Sequence, residues 1–258
     1  YQMVKRLDPY VLDQDEEMVI LQKGGRSIIY AFIPARGGSE RIPGKNIRML
    51  AGHPLIAYAI AGAKHSGIFD GIYVSTESKE IAEVARKYGA EVIDRPVQFA
   101  RSDSPDIEWV RHALQITLCD TFMILRPTNP FRTSITIFRA LEKWNSCGRS
   151  SMRSVEPVRQ HPGKMWILDQ KRELYIEPKD SKSHDLPTQS LKKILIQNGC
   201  IQMASSYLIF KAGNYTGGSV LPFFTKGHEG LDLNVEDDWL LAETLICKGI
   251  AKTEPMGD

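Results

Sequence analysis

The sequence contains few cysteines and no closely spaced pairs of them. Its 258 residues include four cysteines and six histidines, all of them dispersed along the chain. A zinc site needs closely spaced cysteine or histidine ligands, so this spacing argues against one. No signal peptide is recognisable ahead of the cysteines, which are Cys119, Cys147, Cys200 and Cys247. We therefore expect a reduced, cytoplasmic protein.

The sequence also lacks an excess of one charge and any long apolar run. Its 33 basic and 31 acidic residues leave a net charge of +2. Because basic and acidic residues are nearly equal in number, the charge gives no reason to expect a nucleic-acid partner or a charged membrane surface. No apolar run approaches the length of about 20 residues that a membrane-spanning helix needs. Neither nucleic acid nor membrane is an expected partner.

The most informative stretch lies between residues 27 and 46. The apolar run SIIYAF over 27–32 is followed by the segment IPARGGSERIPGKN over 33–46. A run of β-branched and aromatic residues that ends in proline, glycine and serine is typical of a buried strand leading into a loop. We predict that this loop carries the chemistry.

The loop is suited to a triphosphate. Its glycines and Ser39 allow the backbone to fold around an anion with N–H groups pointing inward, while Arg36, Arg41 and Lys45 add positive charge. The phosphate loop of the ATPases is absent, because the glycine spacing is too long and Asn46 stands where Ser or Thr is required. The alternative is a basic surface loop with solvated charges. The predicted nucleotide-binding residues of the loop are Ala35, Gly37, Gly38, Ser39 and Asn46.

Strands and helices alternate after this loop. Strands are predicted at 71–76, 91–93 and 122–125, and helices at 54–63, 79–88, 105–114 and 134–144, with a last helix at 235–246. Gly67 is the predicted stop of the first of these helices. Ser78 and Thr133 are predicted helix caps, as is Ser104 with Pro105 at the first helical position. This alternation predicts an α/β fold with a doubly wound, mostly parallel sheet, whose ligands lie beyond the C-terminal ends of the strands.

The pattern changes in two places. Residues 1–26 mix charge with short apolar pieces, and we interpret them as an N-terminal extension of unknown role. Within it, residues 18–21 are either a strand or the end of a preceding module, and residues 24–25 are a linker. Residues 27–258 are assigned to one domain. Within it, about residues 150–190 change to short β-like pieces joined by polar connections, which indicates an inserted subdomain or a mobile surface excursion.

The loop over 33–46 resembles the signature of the CMP-sialic acid synthetases, the acylneuraminate cytidylyltransferases, in which Glu40 is commonly Lys. Similar residues continue at 74–76, 95–96, 127–128, 198–199 and 232–239, so that the resemblance covers about residues 29–246. It implies a Rossmann-like nucleotidyltransferase fold. It also implies that the inserted subdomain reaches across a homodimer.

Roles for the basic residues follow from chemistry and from this resemblance. Arg36, Ser39 and Lys45 would hold the β and γ phosphates, and Lys45 would stabilise the departing pyrophosphate. By resemblance, Asn46 contacts the nucleotide and Arg95 helps to read the cytosine. Two alternatives stay open: Lys45 as a solvated surface cation and Arg95 as a structural ion-pair partner.

The metal site departs from the family pattern. Mg²⁺ prefers carboxylate and phosphate oxygens, and the family usually offers Asp-x-Asp before the last helix. This chain has Asp232-Leu233-Asn234, so Asp232 is the better ligand. Either Asp232 or a metal-bound water near it is the candidate proton acceptor. Asn234 is either a second ligand or the N-cap of the last helix, with Asp237 at its third position.

The residues expected near the acceptor sugar also differ from the family pattern. Arg126 stands where the family commonly has Gln, and it would pair with a sugar carboxylate or form a structural salt bridge. Ile196 replaces a family Arg, next to Gln197 and Asn198, and the segment 104–107 also differs. By resemblance, Lys164 would reach the sugar or the partner subunit's site. His161 is a weaker candidate, assigned to the inserted subdomain.

We therefore predict an Mg²⁺-dependent cytidylyltransferase that joins CTP to a nine-carbon 2-keto sugar acid and releases pyrophosphate. N-acetylneuraminate, legionaminate, pseudaminate and a deaminated acid all fit. The alternatives are a CMP-Kdo-type or other sugar nucleotidyltransferase, and a dimeric nucleotide-binding module without turnover. The Lys45-Asn46 pair favours the sialic acid branch, because the loop of the CMP-Kdo synthetases ends in Gly-Lys-Pro.

Overall fold

The computed structural model describes residues 27–148, 150–169, 174–176 and 183–256, so that the strand and linker predicted within residues 1–26 lie outside it. Its strands are β1 (Ile29–Pro34), β2 (Met49–Leu50), β3 (His53–Pro54), β4 (Gly71–Thr76), β5 (Glu91–Asp94), β6 (Thr121–Ile124), β7 (Ser151–Pro157), β8 (Ile167–Asp169), β9 (Leu174–Ile176), β10 (Leu195–Ser205) and β11 (Leu221–Phe224). Its helices are α1 (Leu55–Ser66), α2 (Lys79–Lys87), α3 (Asp106–Thr117), α4 (Ser134–Asn145), α5 (Ser206–Lys211) and α6 (Glu236–Cys247).

Seven strands form one central sheet in the order β11-β7-β10-β6-β1-β4-β5. Strands β6, β1, β4 and β5 pair in parallel, as do β11 and β7, and β10 runs antiparallel to both of its neighbours. The predicted mostly parallel sheet is confirmed. The pairs β2–β3 and β8–β9 form separate two-stranded ribbons.

Helices cover both faces of the sheet. Ala31 and Ile33 of β1 belong to the core cluster that also contains buried residues of α1, α2 and α4. Phe32, between them, belongs to the cluster that contains residues of α3 and α5. Successive side chains of a strand point to opposite faces, so the sheet is covered on both sides, as a doubly wound fold requires.

Two local signals for helix ends are confirmed and one is wrong by one residue. The Ser78 side chain accepts a hydrogen bond from the N–H of Ile81 and caps α2, and α1 ends at Gly67, whose φ of 65° favours glycine. Helix α3 begins one residue later than predicted, with Pro105 at the N-cap. The hydroxyl of Ser104 instead donates to the carbonyl of Gln98, so a tertiary contact replaces the predicted cap.

Strand β7 lies within the range predicted as an insert, yet it pairs with β10 and β11 in the central sheet. The excursion away from the sheet therefore starts after Pro157 and returns at Leu195. The division into extension, domain and inserted subdomain stays a prediction. In the described part of the chain, no helix combines the length and the apolar character that crossing a membrane demands.

The strand order places a crevice between β1 and β6. The chain leaves β1 towards β4 on one side, and β6 begins the other half of the sheet. In open α/β sheets, ligands bind at such a reversal of strand order, outside the C-terminal strand ends. The loop after β1 and the corner after β6 border this crevice.

Candidate functional site

A cavity of about 400 Å³ opens at this crevice. It is lined by six basic side chains and only two acidic ones, which makes it strongly cationic. Six predicted site residues line it together: Arg36, Ser39, Lys45, Asn46, Arg95 and Arg126. The other basic residues in its wall are Arg41 and Arg101, and the acidic ones are Glu40 and Asp106. A concave cationic surface of this kind suits a polyanion.

The loop after β1 is held in shape from within. Gly44 has a φ of 62°, in the left-handed region that favours glycine, and its carbonyl accepts hydrogen bonds from the N–H groups of Ile47 and Arg48. The buried Asn46 side chain donates to the carbonyl of Arg36 over 2.9 Å. Asn46 therefore ties the two ends of the loop together, in addition to lining the cavity.

The predicted glycines of the loop differ in their surroundings. The N–H of Gly37 donates to Oε1 of Glu77 over 2.7 Å, so a carboxylate already occupies a group predicted to face phosphate. A Cβ on Gly37 would lie 3.2 Å from the Cβ of Ser78. A Cβ on Gly38 would meet no atom within 4 Å. Gly37 permits a close approach to the start of α2, whereas the space beside Gly38 is open.

Lys45 is half-buried at the edge of the cavity and is not a free surface cation. Its Nζ donates to the carbonyl of Leu233 over 3.0 Å, and the N–H of Leu233 donates to the carbonyl of Thr128. Burial lowers the pKa of Lys45, although the negative charge of Asp232 opposes this shift. These bonds clamp the segment before α6 between the β1 loop and the β6 corner.

Arg95 is buried, with 6% of its surface exposed. Its Nε and Nη2 donate to the hydroxyl and the carbonyl of Ser75, and its guanidinium lies 5.1 Å from the ring centroid of Trp109. Burial lowers the pKa of Arg95 to about 10, against the opposing charge of Glu77. Arg95 makes no salt bridge among the described residues. It is fixed by Ser75 and Trp109, with an edge left on the cavity.

Arg126 forms an ion pair with Asp106, one of the two alternatives predicted for it. Both side chains are more than two-thirds buried and line the cavity. Burial alone would raise the pKa of Asp106, but the charge of Arg126 and the hydrogen bonds to the carboxylate hold that pKa below its usual range. The pair contributes both donors and an acceptor to the cavity wall.

Asp232 and Asn234 lie beside the cationic wall of the cavity. Two basic residues of that wall reach their segment: Lys45 contacts the carbonyl of Leu233, and Arg41 contacts Asn234. Oδ1 of Asp232 is buried and has no partner within the described residues, and an orphaned carboxylate oxygen beside a phosphate-sized cavity fits a Mg²⁺ ligand. Asn234 donates from Nδ2 to Oδ2 of Asp232 over 2.7 Å, and its Oδ1 accepts from Arg41. In this orientation the amide oxygen of Asn234 is turned away from Asp232.

The alternative assignment of Asn234 as a helix cap is wrong by one residue. Helix α6 has Val235 at its N-cap and Asp238, not Asp237, at the third position. The carboxylate of Asp238 accepts hydrogen bonds from the N–H groups of Asn234 and Val235. Asp238 thus satisfies the helix start, because its carboxylate reaches back to the free N–H groups there.

Besides Gly37, Gly38, Asp232 and Asn234, four more predicted residues lie outside the cavity wall. Ala35 is fully buried, and its N–H donates to the carbonyl of Ser75. Gln197 is exposed on β10, opposite Val155. Lys164 donates from Nζ to the carbonyls of His184 and Leu186 within the excursion. Roles of these residues in nucleotide or sugar binding stay predictions.

Asn198 is the last of these four residues, and both the nitrogen and the oxygen of its side-chain amide have hydrogen-bond partners within the protein. Its amide group donates to Glu156 and Thr225, and its oxygen accepts from the hydroxyl of Ser154. Gly199 follows with a φ of 71°, where the pairing of β7 with β10 shifts register. Asn198 therefore stabilises a bulge behind the cavity.

Sequence reasoning missed part of the cavity. Phe99, Arg101 and Asp106 follow β5, and Trp109 lies one turn further along α3. For Phe99, Arg101 and Trp109 the available signal was position alone, because they follow the C-terminal end of a parallel strand. Asp106 belongs to the segment 104–107, which was expected near the acceptor sugar without a role for any one residue. Glu77, after β4, had no predicted role.

Comparisons with known proteins agree with the family resemblance that the sequence motifs indicated. A family model described as Cytidylyltransferase matches residues 30–177. The chain is 33% identical over 227 residues to the CMP-N,N'-diacetyllegionaminic acid synthase of Legionella pneumophila, which covers 84% of this chain and 96% of that protein. It is 31% identical over 235 residues to the N-acylneuraminate cytidylyltransferase of Escherichia coli. That match covers 85% of this chain, which spans only 52% of the Escherichia coli protein.

Solved structures agree on the fold. A CMP:2-keto-3-deoxy-manno-octonic acid synthetase complexed with CTP aligns with a TM-score of 0.64 at 12% identity, over 86% of this chain and 100% of that one. A 4-diphosphocytidyl-2C-methyl-D-erythritol synthase from Anaerococcus prevotii aligns with a TM-score of 0.59 at 11% identity, over 86% of this chain and 99% of that one. At such identities the likeness concerns the fold alone.

Proposed function

The chain belongs to the cytidylyltransferase family, and we propose that it transfers the cytidylyl group of CTP to the anomeric hydroxyl of a nine-carbon 2-keto sugar acid, releasing pyrophosphate. The observation that carries the proposal is the cationic cavity at the strand-order reversal, with six basic side chains around it. A relative that the chain covers over 96% of its length is named for a product of this class.

The reaction needs positioning and charge stabilisation more than covalent chemistry. The anomeric oxygen forms a bond to the α-phosphorus, and the bond from that phosphorus to the bridging oxygen breaks. The electron pair leaves with pyrophosphate, whose growing negative charge lies against Arg36, Ser39 and Lys45 in our assignment. Lys45 is well placed for this role, since its Nζ is fixed by the carbonyl of Leu233.

Asp232 carries two proposed roles. Its buried, unpartnered Oδ1 and the neighbouring phosphate oxygens would hold Mg²⁺, which supplies charge neutralisation to the triphosphate when bound. The same carboxylate is the group to which we assign the proton released by the attacking hydroxyl. Asn234 contributes by holding Oδ2 of Asp232 in place.

A homodimer and a cytoplasmic location complete the proposal. The excursion between β7 and β10 and the first two residues of β10 expose apolar side chains, which favours a protein partner over that surface. They are Met165, Trp166, Leu186, Leu195 and Ile196. Sedimentation analysis should give a dimer that Trp166→Asp weakens, and a monomer at all concentrations would contradict it. Fractionation of the source cells tests the location.

The deciding experiment measures pyrophosphate release with CTP and Mg²⁺ across N-acetylneuraminate, legionaminate, pseudaminate, a deaminated nine-carbon acid and Kdo. GTP, UTP and ATP replace CTP in parallel, and EDTA replaces Mg²⁺. Release with CTP and one nine-carbon acid supports the proposal, and release with Kdo alone favours the eight-carbon alternative. CTP binding without turnover of any acid would favour a nucleotide-binding module. Glu142→Gln, an exposed acid on α4, serves as the unaffected control.

A further inference from the structure

One carboxylate in the cavity wall collects donors from three separate parts of the chain. Oδ1 of Asp106 accepts from the indole N–H of Trp109 over 2.9 Å. Oδ2 accepts from Nη2 of Arg126, in the corner after β6, and from the hydroxyl of Tyr215 over 3.4 Å. The Asp106 side chain is 27% exposed, on the cavity.

Local structure does not explain this carboxylate. Asp106 is the first residue of α3, but the helix is entered through Pro105 without a side-chain cap. The N–H of Glu108 donates to the carbonyl of Pro105. The carboxylate of Asp106 therefore caps no backbone N–H of its own helix. It accepts from the side chain of Trp109, one turn along, and from two residues distant in the chain, Arg126 and Tyr215.

Arg126 is held at both ends by these contacts. Its backbone carbonyl accepts a 3.0 Å hydrogen bond from the fully buried Arg132, and its guanidinium is paired with Asp106. A Cβ on Gly199 would lie 3.4 Å from the Cδ of Arg126, so the absence of a side chain there leaves space for the stem. A guanidinium has five N–H donors, and the pair with Asp106 leaves donors for a ligand in the cavity.

The Asp106 carboxylate also supports the side of the cavity that contains Arg95. Trp109, whose indole it fixes, lies under the guanidinium of Arg95. Asp106 thus connects a buried arginine on the β5 side to a second arginine on the β6 side. A flexible arginine loses rotamer freedom when it binds, and an arginine already oriented by a carboxylate loses less.

We propose that Asp106 is a positioning residue that orients Arg126 to bind the carboxylate of the acceptor acid, an inference that rests on the proposed function. Arg126 recognises a planar carboxylate through paired N–H donors, which requires a defined guanidinium orientation. Asp106 supplies that orientation and keeps the net charge of the pair near zero. The polyphosphate is left to the other basic side chains of the cavity.

The test compares Asp106→Asn, Asp106→Glu, Arg126→Lys and the double variant Asp106→Asn/Arg126→Lys with wild type and with Glu142→Gln. Asp106→Asn should raise the KM for the acceptor acid about tenfold, as expected for a weakened charge-assisted hydrogen bond, and change the KM for CTP by less than about twofold. Asp106→Glu should restore part of the loss. The double variant should be no worse than Arg126→Lys alone, since both changes act on one contact.

A purely structural role predicts a different result. Asp106→Asn would then lower the active fraction and kcat, with both KM values unchanged and the two changes additive, which would overturn the inference. Calorimetric binding of the four nine-carbon acids of the panel, with a non-hydrolysable CTP analogue present, gives a readout that does not need turnover. Wild type without turnover refutes the proposed function. If wild type binds none of the four acids, or if Asp106→Asn leaves binding of the bound acid unweakened, the inference itself is refuted.

Discussion

The backbone N–H of Gly37 donates a 2.7 Å hydrogen bond to Oε1 of Glu77. The other carboxylate oxygen of Glu77 is buried and unpartnered within the described residues. A loop predicted to bind phosphate is therefore fixed to the end of β4 by an acidic side chain of the protein itself. This contact shapes the loop before any nucleotide arrives.

Replacing Glu77 should reveal how much CTP binding depends on that shape. Glu77→Ala should weaken CTP binding about tenfold, because the loop must then be ordered at the cost of binding energy. Glu77→Gln keeps an oxygen for the N–H of Gly37 and should retain most of the affinity. Calorimetric titration with CTP measures both, with the exposed Glu83→Ala on α2 as control. Wild-type affinity in Glu77→Ala would show that the loop needs no such anchor.

Changing Asn234 to Asp should lower the Mg²⁺ concentration that half-maximal activity requires. Asn234 donates to Asp232 in this structure, and an Asp at the position would offer a second carboxylate oxygen instead. Without metal, the same change should destabilise the fold by about 1 kcal/mol, since a hydrogen bond is exchanged for repulsion. Mg²⁺ titrations of pyrophosphate release and melting curves with EDTA or Mg²⁺ test both parts. If Asn234→Asp leaves the Mg²⁺ requirement unchanged while Asp232→Asn abolishes pyrophosphate release, then Asp232 is the metal ligand and position 234 does not contribute to metal binding.

The Asp106–Arg126 pair predicts a pH-dependent stability difference. The pKa of Asp106 is lower in the folded chain than in the unfolded one, so its contribution is complete above the unfolded value of about 3.9. The contribution is lost as the pH falls through the folded-state pKa. Urea unfolding should show Asp106→Asn less stable than wild type near neutrality, with a gap that narrows below about pH 4. A gap independent of pH would show that the charge of Asp106 does not stabilise the fold.

Arg132 should be essential for stability despite being incompletely paired. It is 1% exposed, its Nη1 bridges the carbonyls of Arg126 and Cys200 over 3.0 Å, and burial lowers its pKa to about 10. Arg132→Ala should cost about 2–4 kcal/mol, because the carbonyls of Arg126 and Cys200 both lose the buried donor that bridges them. Arg132→Met should cost less, since it fills the volume and removes the buried charge. Urea unfolding measures both against the exposed Arg111→Ala on α3, and a loss below about 0.5 kcal/mol in Arg132→Ala would contradict the expectation.

Local sequence was sufficient for the framework of the site. The apolar run before the glycine-rich loop predicted β1 and a cationic loop at its end, and the alternation of strands and helices predicted the parallel sheet. Both depend on residues close together in the chain, whose periodicity and turn chemistry are visible in the sequence. The long match of residues 33–46 to the signature of the CMP-sialic acid synthetases added the prediction that the bound triphosphate is CTP.

The tertiary structure decided the partners of those residues. It paired Arg126 with Asp106, 20 residues away, and tied Lys45 to the carbonyl of Leu233, 188 residues away. It also gave the N–H of Gly37 to Glu77 and turned the amide oxygen of Asn234 towards Arg41. Contacts of this kind depend on how crossovers bring strand ends together, and no local pattern records them. The sequence by itself therefore determined which chemistry gathers at the edge of the sheet, and the packing of distant segments determined which side chains remain free to perform it.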